Sequence, residues 1–244
     1  MVLITGSAGY IGGFLQGVGV DDLSTGKGKT DHVIDIRDSD RLARVLRGVD
    51  VVVHLAGVKD VPESVSDPVK YWERNLVGTL RLCEAMLAVG VNKMVFASSA
   101  AVYGPTPYGK TKIVCEKLLE NMPINAAILR LFNVGGGGLK KAIESGSVVV
   151  HGNDYDTKDG TCERDYVHEL DVVDAINKSV DYLMGGGNTF CADIGTGVTT
   201  SVLEAVRGTK YAIGPRRVGD IPMSVAHTDA ARRVLGFEAK RKVF

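Results

Sequence analysis

At 244 residues the chain can bury a substantial core, either as one large α/β domain or as a nucleotide domain carrying a smaller lobe. Its 29 Lys and Arg balance 29 Asp and Glu, so no global field draws it to nucleic acid or to an anionic membrane surface. Cys83, Cys115, Cys162 and Cys191 lie far apart, with no C-x-x-C pair and no metal-like Cys/His spacing; they read as packed, reduced thiols of a cytoplasmic protein without a metal centre.

From the amino terminus, short β-branched apolar runs recur at residues 2–5, 18–21, 32–36, 51–55, 94–97 and 127–131, with helical stretches between them. That alternation predicts parallel β-α-β units, and nearly continuous apolar strands suit a sheet covered on both faces. Met1 to Thr5 run straight into a glycine turn without a basic or long apolar leader, and no segment is apolar enough to cross a bilayer. Asp67-Pro68 predicts the start of a long helix that closes at Gly90. After Asn133 the regularity fails, through the Gly135 to Gly138 tract and a polar loop over 152–163. A helix over 169–183 and a strand over 189–194 then rejoin the sheet.

Gly6-Ser7-Ala8-Gly9-Tyr10-Ile11-Gly12 follows the first strand directly. In that place glycines permit tight turning and close backbone approach to a pyrophosphate, which a following helix N-terminus would receive. Asp21 ends the second strand, where an acidic residue binds ribose hydroxyls, and Asp22 follows; carboxylates there repel the extra phosphate of NADP and favour NAD. Only a two-turn crossover helix fits between Gly12 and Asp21, against a usual spacing of about 20 residues, so either the first helix is short or the site is distorted.

Ser98-Ser99 end a strand, and Thr106-Pro107 offer an N-cap and first position for a helix bearing Tyr108 and Lys112. Four residues apart, these two share a helical face. Tyrosine ionises near pH 10, so a phenolate at neutral pH needs help, which a neighbouring ammonium and a positive nicotinamide would supply.

With these residues in place, the sequence resembles the UDP-galactose 4-epimerases of the extended short-chain dehydrogenase/reductase superfamily. The matching stretches are residues 4–12, 20–26, 54–59, 75–79, 98–104, 107–112 and 129–133, then 152–161, 164–168 and 216–220, spanning nearly the whole chain. The resemblance implies a Rossmann-type doubly wound parallel sheet with a small C-terminal substrate-binding lobe. Residues 1–133 and 165–195 would form the first, 134–164 and 196–244 the second. Two family segments are nearly absent: only Ala100 to Pro107 separate Ser99 from Tyr108, and Gly135 to Gly138 replace a longer stretch after Phe132-Asn133. The chain resembles a compacted member.

The same resemblance implies roles by position. Gly6, Gly9, Tyr10, Ile11, Gly12, Asp21, Asp22, Ser24, Thr25, Asp35, Ile36, Leu55, Ala56, Gly57, Lys59, Asn75, Ala97, Tyr108, Lys112 and Phe132 would line the NAD site. Asn133, His151, Arg164, Tyr166, Arg217 and Asp220 would hold the UDP part, the arginines matching phosphate oxygens in pairs. Ser99, Tyr108 and Lys112 would be catalytic, with Ser99 and Tyr108 also meeting the sugar and Ser224 beside it. The implied partners are a UDP-sugar and a second copy, paired through helices over 69–89 and 108–120.

Related dehydratases and decarboxylases carry acidic residues after the strand-end serine, where this chain has Ala100 and Ala101. A 4-epimerase of UDP-glucuronate would share the core motifs. A non-catalytic NAD-binding sensor would not need Ser99, Tyr108 and Lys112 intact.

Overall fold

A computed structural model describes all residues, Met1–Phe244. Seven parallel strands form the main sheet in the order Phe190–Ile194, Asn125–Leu131, Lys93–Ser99, Val51–His54, Val2–Thr5, Val18–Asp21 and His32–Val33. Alternate residues face opposite ways along each strand. Leu3, Val52 and Phe96 therefore enter one core with Leu42, Leu82 and Met86, while Ile4, Val53 and Val95 enter another with Leu129, Ile176 and Ile194. The strand order reverses between Val2–Thr5 and Val51–His54, the place where open α/β sheets leave a crevice beyond the strand ends.

Two elements depart from the sequence expectation. The 32–36 strand is only His32–Val33, because the chain peels away so that Ile34 and Ile36 can turn inward. No α-helix follows the glycine turn: the first crossover is a single 3-10 turn, Gly12–Phe14. Gly12-Gly13 and Gly17 disfavour a longer helix, each glycine costing about 1 kcal/mol relative to alanine.

The Asp67 cap accepts from Lys70 N, and the helix it starts runs as Pro68–Tyr71, a wide π-helical segment Trp72–Val77, and Gly78–Ala88, before Gly90 turns out at φ 79°. Thr106 likewise caps Pro107–Glu120, its hydroxyl accepting from Gly109 N. No helix is long and apolar enough to cross a membrane.

Outside the sheet, Val148–His151 pairs with Tyr211–Gly214, and Glu163–Arg164 lies between Thr200–Ser201 and Met223–Ser224. Asp165 fastens this region to the sheet. Its fully buried carboxylate accepts from Thr196 N and Oγ1, Gly197 N and Ala226 N. The helix Asp229–Leu235 rests on the sheet, with Ala231, Leu235 and Phe237 in the second core, although 196–244 was expected to belong to the small lobe.

Candidate active site

At the crevice, Gly6 turns at φ 74°, and a Cβ there would fall 2.7 Å from Ala56 N, so glycine alone allows this approach. Ala8 and Leu23 donate their N–H groups to the two oxygens of Asp21, at 3.1 and 2.8 Å, locking the glycine turn to the second strand. Beyond lies an open pocket lined by Gly6, Asp21, Asp22, Ser24, Thr25, Ile34, Ile36, Leu55, Ala56, Gly57, Val58 and Arg74. Most of the expected adenosine-side residues thus converge; Ile34, Val58 and Arg74 are additions. Asp35 stands at the rim, its carboxyl held below the usual range chiefly by the Arg37 guanidinium.

The residues fit a dinucleotide phosphate. In the glycine turn the N–H groups of Tyr10 and Ile11 have no internal acceptor, and with a three-residue turn in place of a helix these donors act with little macrodipole behind them. Lys59 follows Val58 of this pocket and is open to solvent at its surface, its ammonium pKa lowered by partial desolvation with Lys141 adding repulsion. Tyr10 itself leans away: it is half exposed, stacks edge-on against Phe14, and feels the Glu169 carboxylate. Ile11 packs on the second core.

Asn75, in the wide turn, accepts from Val58 N at 2.9 Å and donates to Val58 O and to Thr111 Oγ1. Thr111 Oγ1 in turn donates to the Tyr108 carbonyl. One buried amide therefore ties the cleft loop to the helix bearing Tyr108. Beneath it His54 bridges Thr5 and Thr79, at 2.7 and 2.9 Å, and burial pushes its imidazole down to about 3, so it is neutral.

Ser99, Tyr108 and Lys112 meet at the end of the Lys93–Ser99 strand. Tyr108 and Lys112 are 8% and 7% exposed. Burial pushes the Tyr108 phenol up and the Ser99 hydroxyl beside it pulls it back. Lys112 is anchored to the neighbouring strand. Its Nζ donates to the Ala97 carbonyl at 2.7 Å and stands 4.7 Å from the Phe96 ring centre, and burial lowers its own pKa. Burial thus favours the neutral form of the Tyr108 phenol. Phe132 is buried nearby, its ring tilted on Tyr103.

The residues expected to hold a nucleotide sugar lie on strands and loops outside the main sheet. Arg164 Nη2 lies 3.5 Å from Asp220, and its Nη1 donates to the Ile221 carbonyl; it pairs with Asp220 rather than Asp165. Ser224 is in register with Arg164, and Asn133 with Tyr166. Tyr166 is buried, its phenol pushed up to about 12, with the Phe244 ring edge-on at 5.0 Å. His151 Nδ1 lies 3.1 Å from the Pro215 carbonyl. Arg217 is exposed without an ion pair, whereas neighbouring Arg216 is spent on Asp154 and the Tyr155 ring. The 215–222 loop reaches the catalytic helix: a Cβ on Gly219 would fall 2.6 Å from Thr106 Cγ2.

A parallel sheet with a glycine turn at its switch point is the architecture of the NAD-dependent short-chain dehydrogenase/reductase superfamily. Residues 2–188 match the NAD dependent epimerase/dehydratase family, and the chain belongs to that family. It is 36% identical to the UDP-glucose 4-epimerase of Rhizobium meliloti (strain 1021), covering 97% of this chain and 92% of the relative. That alignment runs over 300 positions, more than the chain's own 244 residues, so it passes over segments this chain lacks. The UDP-glucose 4-epimerase of Stenotrophomonas maltophila, solved with NAD and formylated UDP-arabinopyranose, superposes with a TM-score of 0.91 at 32% identity, over 99% of this chain and 94% of that one. The UDP-Glc/GlcNAc 4-epimerase of Campylobacter jejuni gives 0.82 at 29% identity, over 99% and 94%.

Proposed function

We propose that the protein is an NAD-dependent 4-epimerase of UDP-hexoses, interconverting UDP-glucose and UDP-galactose. The observation that carries this reading is the meeting of Ser99, Tyr108 and Lys112 beside the glycine-turn crevice, with Ala100 and Ala101 where an eliminating enzyme would need a carboxylate. NAD, held by the glycine turn, Asp21 and Lys112, would supply the hydride acceptor for carbon 4 and then the donor that returns the hydride. As the phenolate, which the positive nicotinamide would favour, Tyr108 takes the proton of the 4-hydroxyl and gives it back to the same oxygen when hydride returns to carbon 4. Ser99, which steadies Tyr108, would hydrogen-bond the same oxygen, while Lys112, anchored on Ala97 O, would meet the nicotinamide ribose. The 4-keto sugar turns over while Arg164, Arg217, Asp220, Asn133, Tyr166 and His151 keep hold of the UDP. Catalysis therefore needs a firm grip on the nucleotide and a loose one on the sugar.

In this reading residues 1–133 and 165–195 bind the dinucleotide and 134–164 with most of 196–244 bind the substrate. Ser224, small and beside Arg164, leaves room for a 2-acetamido group, extending the range to UDP-N-acetylglucosamine. Val69 and Val114, 68% and 39% exposed on the helices at 69–89 and 108–120, suit pairing of two copies. The test is direct: purified protein with NAD should convert UDP-galactose to UDP-glucose. Absence of conversion, with both ligands shown to bind, would reject the reaction.

A further inference from the structure

The adenosine pocket carries a cation that neither the motifs nor the implied roles include. Arg74 lines it, and its Nη1 donates to Asp22 at 2.5 Å while standing 3.4 Å from Asp35. Arg74, Asp22 and Asp35 side chains are 31%, 26% and 30% exposed, so all three stand at the mouth within reach of a ligand. Asp35 is itself forked by Arg37, through Nε at 3.0 Å and Nη2 at 2.6 Å. Asp21, the other acid of the pocket, has both oxygens engaged by backbone N–H groups. The one guanidinium at this mouth not already forked onto a single neighbour is therefore Arg74, and Asp22 is what holds it.

An exposed carboxylate beside the ribose would by itself repel a 2′-phosphate. Here that carboxylate is also the counter-ion of an arginine, the side chain best suited to bind a phosphate. We propose that Arg74 is a specificity-determining residue for the dinucleotide. Asp22 captures its guanidinium and so reserves the pocket for NAD, and loss of the Asp22 charge hands Arg74 to the 2′-phosphate of NADP. The proposal rests on the assignment of this crevice to the adenosine half of the cofactor. The wide turn over Trp72–Val77 makes the arrangement possible, since adjacent residues Arg74 and Asn75 serve the mouth and the floor of one crevice.

Binding of ADP and of 2′,5′-ADP, which need no sugar and no turnover, separates the contributions. Trp72, the only tryptophan, lies in the same turn and provides the fluorescence signal, with calorimetry as a second readout. The full-length parent should bind ADP and bind 2′,5′-ADP at least tenfold more weakly. Asp22→Asn should bring 2′,5′-ADP to equal or tighter binding than ADP, with a steeper salt dependence. Asp22→Asn/Arg74→Gln should lose that gain while retaining ADP. Equal 2′,5′-ADP binding by the single and double variants would overturn the proposal, since relief of repulsion alone would then explain the change. Failure of Asp22→Asn to gain any affinity, with ADP still bound, would overturn it as well. A parent that binds neither ADP nor NAD would instead reject the assignment of the crevice, and the proposal with it.

Discussion

The Ser98 hydroxyl donates to the Glu116 carboxylate at 2.5 Å, joining the strand that delivers Ser99 to the helix that delivers Tyr108 and Lys112. Glu116 is 4% exposed at its side chain and is also forked by Arg130 through Nε and Nη2; Arg130 Nη1 continues to Tyr103, and Tyr103 to Asp193. Glu116→Gln leaves the arginine without its counter-charge. Removing one partner of a buried pair costs about 3–5 kcal/mol, and with Arg130 28% exposed about 2 kcal/mol is expected here. Urea unfolding should show that loss, and kcat should fall more than NAD affinity.

Tyr108→Phe removes the proton acceptor and leaves the buried ring against Tyr71, 6.1 Å centre to centre. Turnover should drop by roughly 10²–10⁴-fold, with NAD and UDP binding preserved in titrations. Ser99→Ala should cost less, because the phenol remains. A Tyr108→Phe protein turning over at the parent rate would remove Tyr108 from the mechanism.

His54 sets a pH limit on stability. Its pKa in the folded chain is about 3 against about 6.5 when unfolded. Between those values the unfolded chain takes up a proton that the folded chain refuses, so stability is lost as pH falls below 6.5. At pH 5 the loss is about 2 kcal/mol. Denaturant melts at pH 7 and pH 5 should differ less in His54→Gln than in the parent; an identical pH dependence would exclude His54 as the cause.

Ser224→Tyr tests the sugar pocket. Ser224 sits in a short strand, and its backbone oxygen, not its side chain, accepts from Asp165 N. The larger ring can therefore fill the space beside Arg164 without breaking that bond. Activity on UDP-N-acetylglucosamine should fall selectively, and equal loss on both sugars would count against a wall at this position.

The elements legible in the sequence were those with local causes. Thr106-Pro107 marks the start of the catalytic helix because a hydroxyl cap and a proline first turn act within four residues, and the Tyr108 to Lys112 spacing follows from helical pitch. Between Gly12 and Asp21 the sequence left two outcomes, a shortened helix or a distorted site, and the glycines resolved it as a 3-10 turn. Arg74 was hidden for a different reason: in a regular α-helix adjacent residues diverge, and a π-helical segment has no simple periodic signature. Asp165 follows Arg164 directly, yet its partners are more than 30 residues away at Thr196, Gly197 and Ala226, a tertiary arrangement that no local pattern announces.

The three-residue turn Gly12–Phe14 has a consequence for how the protein meets its cofactor. Over the first two strands it lays only Ile11 and Leu15 on the core, while Tyr10 and Phe14 remain 50% and 45% exposed. Beyond the locked glycine turn, opening residues 10–17 to solvent breaks few apolar contacts, so amide exchange there should be fast in the free protein compared with Lys93–Ser99 or Asn125–Leu131. A phosphate held by the Tyr10 and Ile11 N–H groups closes the same segment and should slow that exchange. Cofactor capture would then steady a crossover held by few apolar contacts, where a full helix would hold itself.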